Sequence, residues 1–472
     1  MQDWSNSHAI RWYNKNLSLI PRLKDEVRLK KMISFCLVID VFFGGKKSLA
    51  PLEAMILSLC CGKFTIEEIV GVCSDALGFP LEESIKLVGK TLVEQNAFLK
   101  IELHRIMTDN RFDPKDYIYI PKPIPKGRVE PYETPLDIVL AITNNCNLRC
   151  IYCYRAAGNA LRNELTTSEI FDILDQVSAL KIVRIFLTGG EPLIRPDFVD
   201  IVRAVIRHNI HPYISTNGVL ANESLVKSLK EAGLPIIQVS LDAVTQKNFE
   251  LLAGTPERLD LVKAAIQLFV KHGIKVTVKS VITKINWREA AGIIKFCADS
   301  GVSRISLEGF GISYGGRGGL DLCINEGEAV QLSATVERLR TEYAGKMEVE
   351  GFKQAKHWEK REDIIACGGL ISSFVIQPNG DVALCENLGN VDSLVFGNVR
   401  EKKIAKIWGN KKIMKFLNPK REEVEPMCFE CSEFRACRTG CYNRQLAGSG
   451  KLYTPDPFCW KCQGEKVTGL PC

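Results

Sequence analysis

"CNLRCIYCY", residues 146–154, places three cysteines in eight positions with the spacing Cys-x3-Cys-x2-Cys. Thiolates are soft ligands, and a tight group of them in one chain points to a metal. A tetrahedral structural zinc site would want a fourth ligand close by, and none follows here. Iron–sulfur cubanes are normally held by four cysteine thiolates. Three thiolates leave one iron open, and an open iron can bind a small chelating molecule and pass it an electron.

Working outward, strands and helices alternate around this cluster. "LDIVLAIT" is apolar and β-branched, and it runs into the first cysteine. A polar-capped helical stretch, "TTSEIFDILDQVSALK", follows. Then come "VRIFLTGGEPL", "HPYISTNG", "PIIQVSLDA", "IKVTVKSVITK" and "SRISLEGF", each reading as a strand and separated from the next by a helical pattern. This alternation predicts a parallel sheet with its functional residues at the C-terminal ends of the strands. Those ends carry Cys146, Gly189 to Glu191, Thr216 and Asn217, Ser240 to Asp242, and Glu308.

Cys146, Cys150 and Cys153, with "GGEP" at 189–192, resemble the radical S-adenosylmethionine (SAM) superfamily over roughly residues 135–315. The resemblance implies an α/β fold, a partial (βα)6 barrel. It implies a [4Fe–4S] cluster that binds SAM at its open iron and cleaves it to a 5′-deoxyadenosyl radical. By motif position, Gly189, Gly190 and Glu191 would meet the methionine amino group and Tyr152 would lie near adenine. Thr216, Asn217, Ser240 and Asp242 would line the ribose and methionine side. Relatives often carry an arginine after the fourth strand, where this chain has Ala253, so Lys279 or Arg304 would have to supply that contact. Relatives also keep a Gly-Arg turn that Gly316–Arg317 would match. Glu308 and Tyr314, near the end of the sixth strand, are positional candidates for catalytic groups.

The C-terminal third repeats the thiol theme. Cys367 is followed by Gly380 and Cys385, then by Cys428, Cys431, Cys437, Cys441 and Cys459. "FVIQPNGDVALC" predicts a hairpin that returns Cys385 beside Cys367. The spacing resembles the SPASM extension of radical SAM enzymes, which implies two auxiliary [4Fe–4S] clusters and three in all. The family's crossed ligation would give Cys367, Cys385 and Cys441 to one, and Cys428, Cys431, Cys437 and Cys459 to the other. The stretch before Cys367 offers no eighth cysteine. The first auxiliary cluster would therefore have an open iron, or borrow Cys323, His357 or a substrate atom; Cys462 could substitute as a ligand.

The first hundred residues differ in kind. "MISFCLVIDVFFGG" reads as two short strands, followed by helices at "APLEAMILSLCCG", "TIEEIVGVCSDALG" and "PLEESIKLVGKTLVEQN" and a closing strand "AFLKIEL". The order resembles a winged helix, and in particular the recognition domains that accompany peptide-modifying enzymes. Three domains and a linker are expected: 1–105 for recognition, 106–134 as a proline-rich linker, 135–320 as the barrel, and 321–472 as a bridging region with the SPASM domain. Cys36, Cys60, Cys61 and Cys73 sit on apolar segments and read as core residues.

Length and composition set the outer bounds. At 472 residues the chain exceeds one ordinary core, and its 46% apolar and 25% charged residues are those of a globular protein. The net charge of +7 is dispersed. The candidate reading helix has few Arg or Lys, so nucleic acid is not expected. No segment is long enough to span a membrane and no signal peptide opens the chain, which reads as cytoplasmic. The expectation is a peptide maturase of the RiPP (ribosomally synthesised, modified peptide) type. It would act on a precursor peptide with a leader, draw electrons from a flavodoxin- or ferredoxin-type donor, and install a crosslink, thioether or backbone modification. The alternatives are a SPASM dehydrogenase of sulfatase-maturating or cofactor-biosynthetic type, and a non-enzymatic iron–sulfur or DNA-binding redox regulator.

Overall fold

The computed structural model describes residues 5–459 apart from 26, 33–34, 41–45, 103, 107–111, 120–128, 353–366, 389–390 and 458. The chain divides into two compact units, Met1–Lys126 and Gly127–Cys472.

In the first unit, α1 (Asn6–Asn16) precedes β1 (Ile20–Leu23), β2 (Val27–Lys31), β3 (Cys36–Asp40) and β4 (Lys46–Leu49). Helices α2 (Pro51–Leu59), α3 (Ile66–Leu77) and α4 (Leu81–Glu94) follow, then β5 (Leu99–Glu102). Strands β2, β3 and β4 form an antiparallel sheet in that order, and β5 pairs with β1. Helix α3 starts where the sequence dictates. The Thr65 side chain accepts from Glu68 N–H at 3.2 Å while Glu68 Oε2 accepts from Thr65 N–H at 2.8 Å. Cys36, Cys60 and Cys73 are buried in this unit's core.

Two features depart from the sequence reading. The segment before residue 32 is structured, contributing a helix and two strands. The expected linker 106–134 is also held along part of its length. Tyr117 is buried in the first unit's core, and Tyr119 donates its hydroxyl to Phe35 O at 2.9 Å. Downstream, Tyr132 N–H donates to Ile371 O at 2.8 Å within the second unit. Proline restricts the chain without preventing neighbouring aromatics from finding apolar cover.

The second unit is built on six parallel strands that pair in sequence order: β6 (Asp137–Thr143), β7 (Arg184–Gly189), β8 (His211–Thr216), β9 (Ile236–Ser240), β10 (Lys275–Ile282) and β11 (Arg304–Gly309). Between them run α5 (Thr167–Ala179), α6 (Phe198–Arg207), α7 (Glu223–Glu231), α8 (Gln246–Ala253), α9 (Leu259–Lys271) and α10 (Ala290–Asp299). The sheet does not close on itself. After α11 (Glu326–Glu342), β12 (Glu348–Val349) adds beyond β11, so part of the expected bridging region belongs to the barrel sheet. At the other edge, β13 (Ser373–Ile376) pairs parallel with β6, and β14 (Asp381–Ala383) and β15 (Val395–Asn398) continue antiparallel. The cysteine-bearing hairpin is thus an extension of the barrel's own sheet. One continuous core of Ile, Leu, Val and Phe runs under all of it.

Candidate active site

The loop after β6 carries Cys146, Cys150 and Cys153, and backbone bonds from three directions fix it. Its ends close on each other through Cys146 N–H to Gly158 O at 2.8 Å and Gly158 N–H to Asn144 O at 3.0 Å. Its middle leans on the end of α8, with Arg149 N–H donating to Ala253 O at 2.9 Å and Ile151 N–H to Leu252 O at 3.0 Å. Ala253, which stands where relatives have arginine, therefore serves this loop through its carbonyl. Arg317 closes the third side. Its N–H donates to Cys153 O at 2.8 Å, and Nη2 donates to Ala157 O at 2.7 Å and Ala156 O at 3.2 Å. Ala156 has φ of 49°, a left-handed conformation that costs a non-glycine residue about 1–2 kcal/mol. The Arg317 clasp holds that strained turn. Arg317→Ala should speed loss of iron to a chelator from the cluster on this loop about tenfold, from the loss of charge-assisted bonds. Iron release at the wild-type rate would show the clasp to be dispensable.

The "GGEP" turn docks against the same loop. Gly190 N–H donates to Thr143 O at 2.7 Å and Glu191 N–H to Asn145 O at 2.8 Å. The glycines are required by contact: a Cβ would lie 2.1 Å from Thr143 O at Gly189 and 2.1 Å from Asn145 O at Gly190. Gly189 also has φ of +142°. Glu191 is buried, and burial raises its pKa to about 6 against three stabilising bonds. Its oxygens accept from Thr216 Oγ1 at 2.6 Å, Asn217 N–H at 2.7 Å and Leu193 N–H at 3.0 Å. A carboxylate has about four acceptor positions, so one remains for a ligand.

Further round the barrel, the Tyr152 hydroxyl donates to Asp242 Oδ2, while Asp242 Oδ1 accepts from Val281 N–H at 2.6 Å. Burial, opposed by these bonds, lifts the Asp242 pKa to about 6. Lys279 pairs with Glu308 at 2.8 Å. Arg304 sits at the opposite end of its strand, paired with Glu348 at 3.7 Å and with Glu350, so it cannot stand in for the missing arginine. Tyr314 is exposed and does not line the cavity; its backbone N–H donates to Asn443 Oδ1 at 2.9 Å.

A cavity of about 710 Å³ joins these groups. It is lined by the three loop cysteines, Gly189 to Glu191, Thr216, Asn217, Ser240, Asp242, Lys279 and Glu308, and it reaches Cys441 and Arg444 of the C-terminal region. Residues the sequence reading did not single out also line it: Tyr154, Arg155, Tyr213, Gln238 and Glu386. Part of that signal was present. Tyr213 and Ser215, and Gln238 and Ser240, recur at alternate positions of otherwise apolar strands, which marks one face.

The thiols fall into three groups by mutual influence. Burial raises the Cys150 pKa to about 12, with Cys153 and Cys146 adding to the rise. Burial raises Cys385 to about 12, with Cys367 and Cys441 contributing. Burial raises Cys428 to about 12, with Cys459, Cys437 and Cys431 contributing. Cys323 is disulfide-bonded, while His357 and Cys462 lie outside the described residues.

Comparison with known proteins agrees with this geometry. Residues 140–297 match the radical SAM superfamily, and residues 367–432 match the SPASM iron–sulfur cluster-binding domain. The PqqA peptide cyclase of Xanthomonas campestris pv. campestris is 28% identical over 330 residues, 69% of this chain and 86% of that protein. The PqqA peptide cyclase of Granulibacter bethesdensis is 27% identical over 337 residues, 69% of this chain and 87% of that protein. The fold is similar to that of Streptococcus suis SuiB bound to its precursor peptide SuiA, with a TM-score of 0.68 and 18% identity over 93% of this chain and 100% of that one. It is also similar to anSMEcpe with bound AdoMet, with a TM-score of 0.54 and 18% identity over 70% of this chain and 95% of that one. The chain is a radical SAM enzyme, with a radical SAM domain over residues 140–297 and a SPASM iron–sulfur cluster-binding domain over residues 367–432.

Proposed function

We propose that the chain is a maturase that crosslinks a ribosomally made precursor peptide. The observation that carries this reading is the single cavity lined both by the Cys146–Cys153 loop and by Cys441, so a substrate held there would touch both thiol groups. The sequence similarity to PqqA peptide cyclases and the fold similarity to SuiB, extending over 93% of the chain, support the peptide as substrate. When bound, the cluster and SAM supply a carbon-centred radical that removes a hydrogen atom, and auxiliary clusters accept an electron.

In this reading the chain's residues bind and orient. Cys146, Cys150 and Cys153 hold one [4Fe–4S] cluster. Cys367, Cys385 and Cys441 hold a second, and Cys428, Cys431, Cys437 and Cys459 a third. The main chain at Gly189 and Gly190, with the remaining acceptor position of Glu191, receives the SAM amino group. Ser240 and Asp242 line its ribose side, and Tyr152 stands beside adenine. Lys279 and Glu308, paired at 2.8 Å, line the same cavity. A flavodoxin- or ferredoxin-type protein supplies the reducing electron. The first unit receives the leader by strand addition to the β2–β3–β4 sheet, whose outer strands β2 and β4 each have one paired side among the described residues.

The test uses the anaerobically reconstituted enzyme with peptides encoded beside its gene. A carbon–carbon crosslink removes two hydrogens from the peptide in a SAM-dependent reaction, which mass spectrometry reads directly. SAM cleavage with every such peptide unchanged would overturn the reading.

A related expectation concerns the first unit. Because Tyr117 and Tyr119 pack within it, the truncation boundary lies at 126 and not at 105. Removing residues 1–126 should weaken peptide binding by about tenfold or more while sparing uncoupled SAM cleavage, since separate units carry the two tasks. Undiminished affinity of the truncated enzyme would make this unit a structural cap.

A further inference from the structure

Arg155 follows the third loop cysteine by two residues, lines the cavity and is only 8% exposed. Its Nη2 donates to Gln377 Oε1 at 2.6 Å. Its Nε and Nη1 have no hydrogen-bond partner, and neither does Gln377 Nε2. The amide orientation of Gln377 is fixed chemically, because its oxygen must face the guanidinium and its NH₂ therefore points elsewhere. Two orphaned guanidinium donors on the cluster loop thus lie beside a hydrogen bond to Gln377, the residue that follows β13.

Burying a guanidinium without a counter-charge is costly, and native proteins rarely leave such donors unmet. The cavity's other charges are engaged. Lys279 pairs with Glu308, Arg444 pairs with Asp456 at 2.5 Å, and Asp242 and Glu191 accept bonds from the chain. Glu386 accepts from the Tyr154 hydroxyl at 3.0 Å and makes no ion pair with Arg155 among the described residues. A buried guanidinium with unmet N–H groups matches a carboxylate, the acceptor with which guanidinium makes its strongest bonds.

We propose that Arg155, with Gln377, is a specificity-determining subsite that binds a carboxylate of the substrate beside the reacting position. This rests on the peptide-maturase reading and narrows it to a peptide segment bearing an acidic group.

The test uses reconstituted enzyme with SAM and saturation-transfer NMR. The probes are the capped tripeptides acetyl-Gly-Glu-Gly-amide and acetyl-Gly-Gln-Gly-amide, and free glutarate. The expected result is about tenfold tighter binding of the Glu peptide than of the Gln peptide, from one charge-assisted bond. Arg155→Gln should abolish that preference with iron content and SAM binding unchanged. Gln377→Glu, which supplies an internal carboxylate with little change of shape, should abolish it too and covers the case in which Arg155→Gln does not fold. Equal binding of both peptides by the wild type, or a preference surviving Gln377→Glu, would overturn the subsite and leave the peptide reading standing. Arg155-dependent binding of glutarate with no binding of either peptide would overturn the subsite as one for a peptide segment. No binding of any probe would overturn the subsite, and the peptide reading is tested separately by the mass of the encoded peptides.

Discussion

Replacing Cys146, Cys150 and Cys153 together with Ala should leave about two thirds of the iron of the wild-type protein and bring SAM cleavage below detection, by the cluster count expected from the three thiol groups. The three groups depend on separate segments. The loop triad follows β6, Cys367 and Cys385 flank the β13–β14 hairpin, and Cys428 and Cys437 lie in the short helices Pro426–Phe429 and Phe434–Cys437 with Cys431 between them. Emptying the first should not unfold the others, since the loop's backbone bonds to Gly158, Ala253 and Arg317 do not involve its thiols. Iron analysis and the yield of 5′-deoxyadenosine are the two measurements. Unchanged iron, or cleavage that survives, would break the assignment of this loop.

The second large effect is expected from Gly190→Ala. A Cβ at this position would lie 2.1 Å from Asn145 O and 2.6 Å from Asn145 C, and both are backbone atoms that cannot rotate away. The turn and the cluster loop must therefore part by about an ångström. Displacement of that size in a reacting constellation costs about 100-fold in rate. The overpacking itself costs about 1–3 kcal/mol of stability. The substitution should therefore cut SAM cleavage by about two orders of magnitude, with a smaller fall in thermal stability. Gly71→Ala serves as the control, because a Cβ there would meet nothing within 4 Å. If Gly190→Ala retained wild-type cleavage, the close approach would have no bearing on the site.

Much of this molecule could be read from its letters because the informative features are local. Five of the six barrel strands end in polar or glycine residues, and all six lie where the pattern put them. Thr65 and Glu68 mark a helix start within four residues of chain. Cysteine spacing is equally local, since ligands two to five residues apart need only a turn to face one centre.

What the letters did not reveal depends on pairings between distant segments. An apolar run announces a buried face without naming the surface that buries it. Nothing in "SFVI" at 373–376 says that it lies parallel to β6, more than 200 residues earlier, yet that pairing brings Gln377 to Arg155 and Glu386 to Tyr154. The orphaned donors of Arg155 are a property of the assembled cavity and have no signature in sequence. Arg317 read as part of a glycine-rich loop until its reach to Ala156 and Ala157 was visible. The sequence by itself determined the alternation of strands and helices and the glycines at 189 and 190, because short-range sterics act over a few residues. Only the tertiary structure decided that the C-terminal hairpin extends the barrel sheet and that one cavity spans both thiol groups, because hydrogen-bond partners across a sheet are chosen by the packing of the whole core.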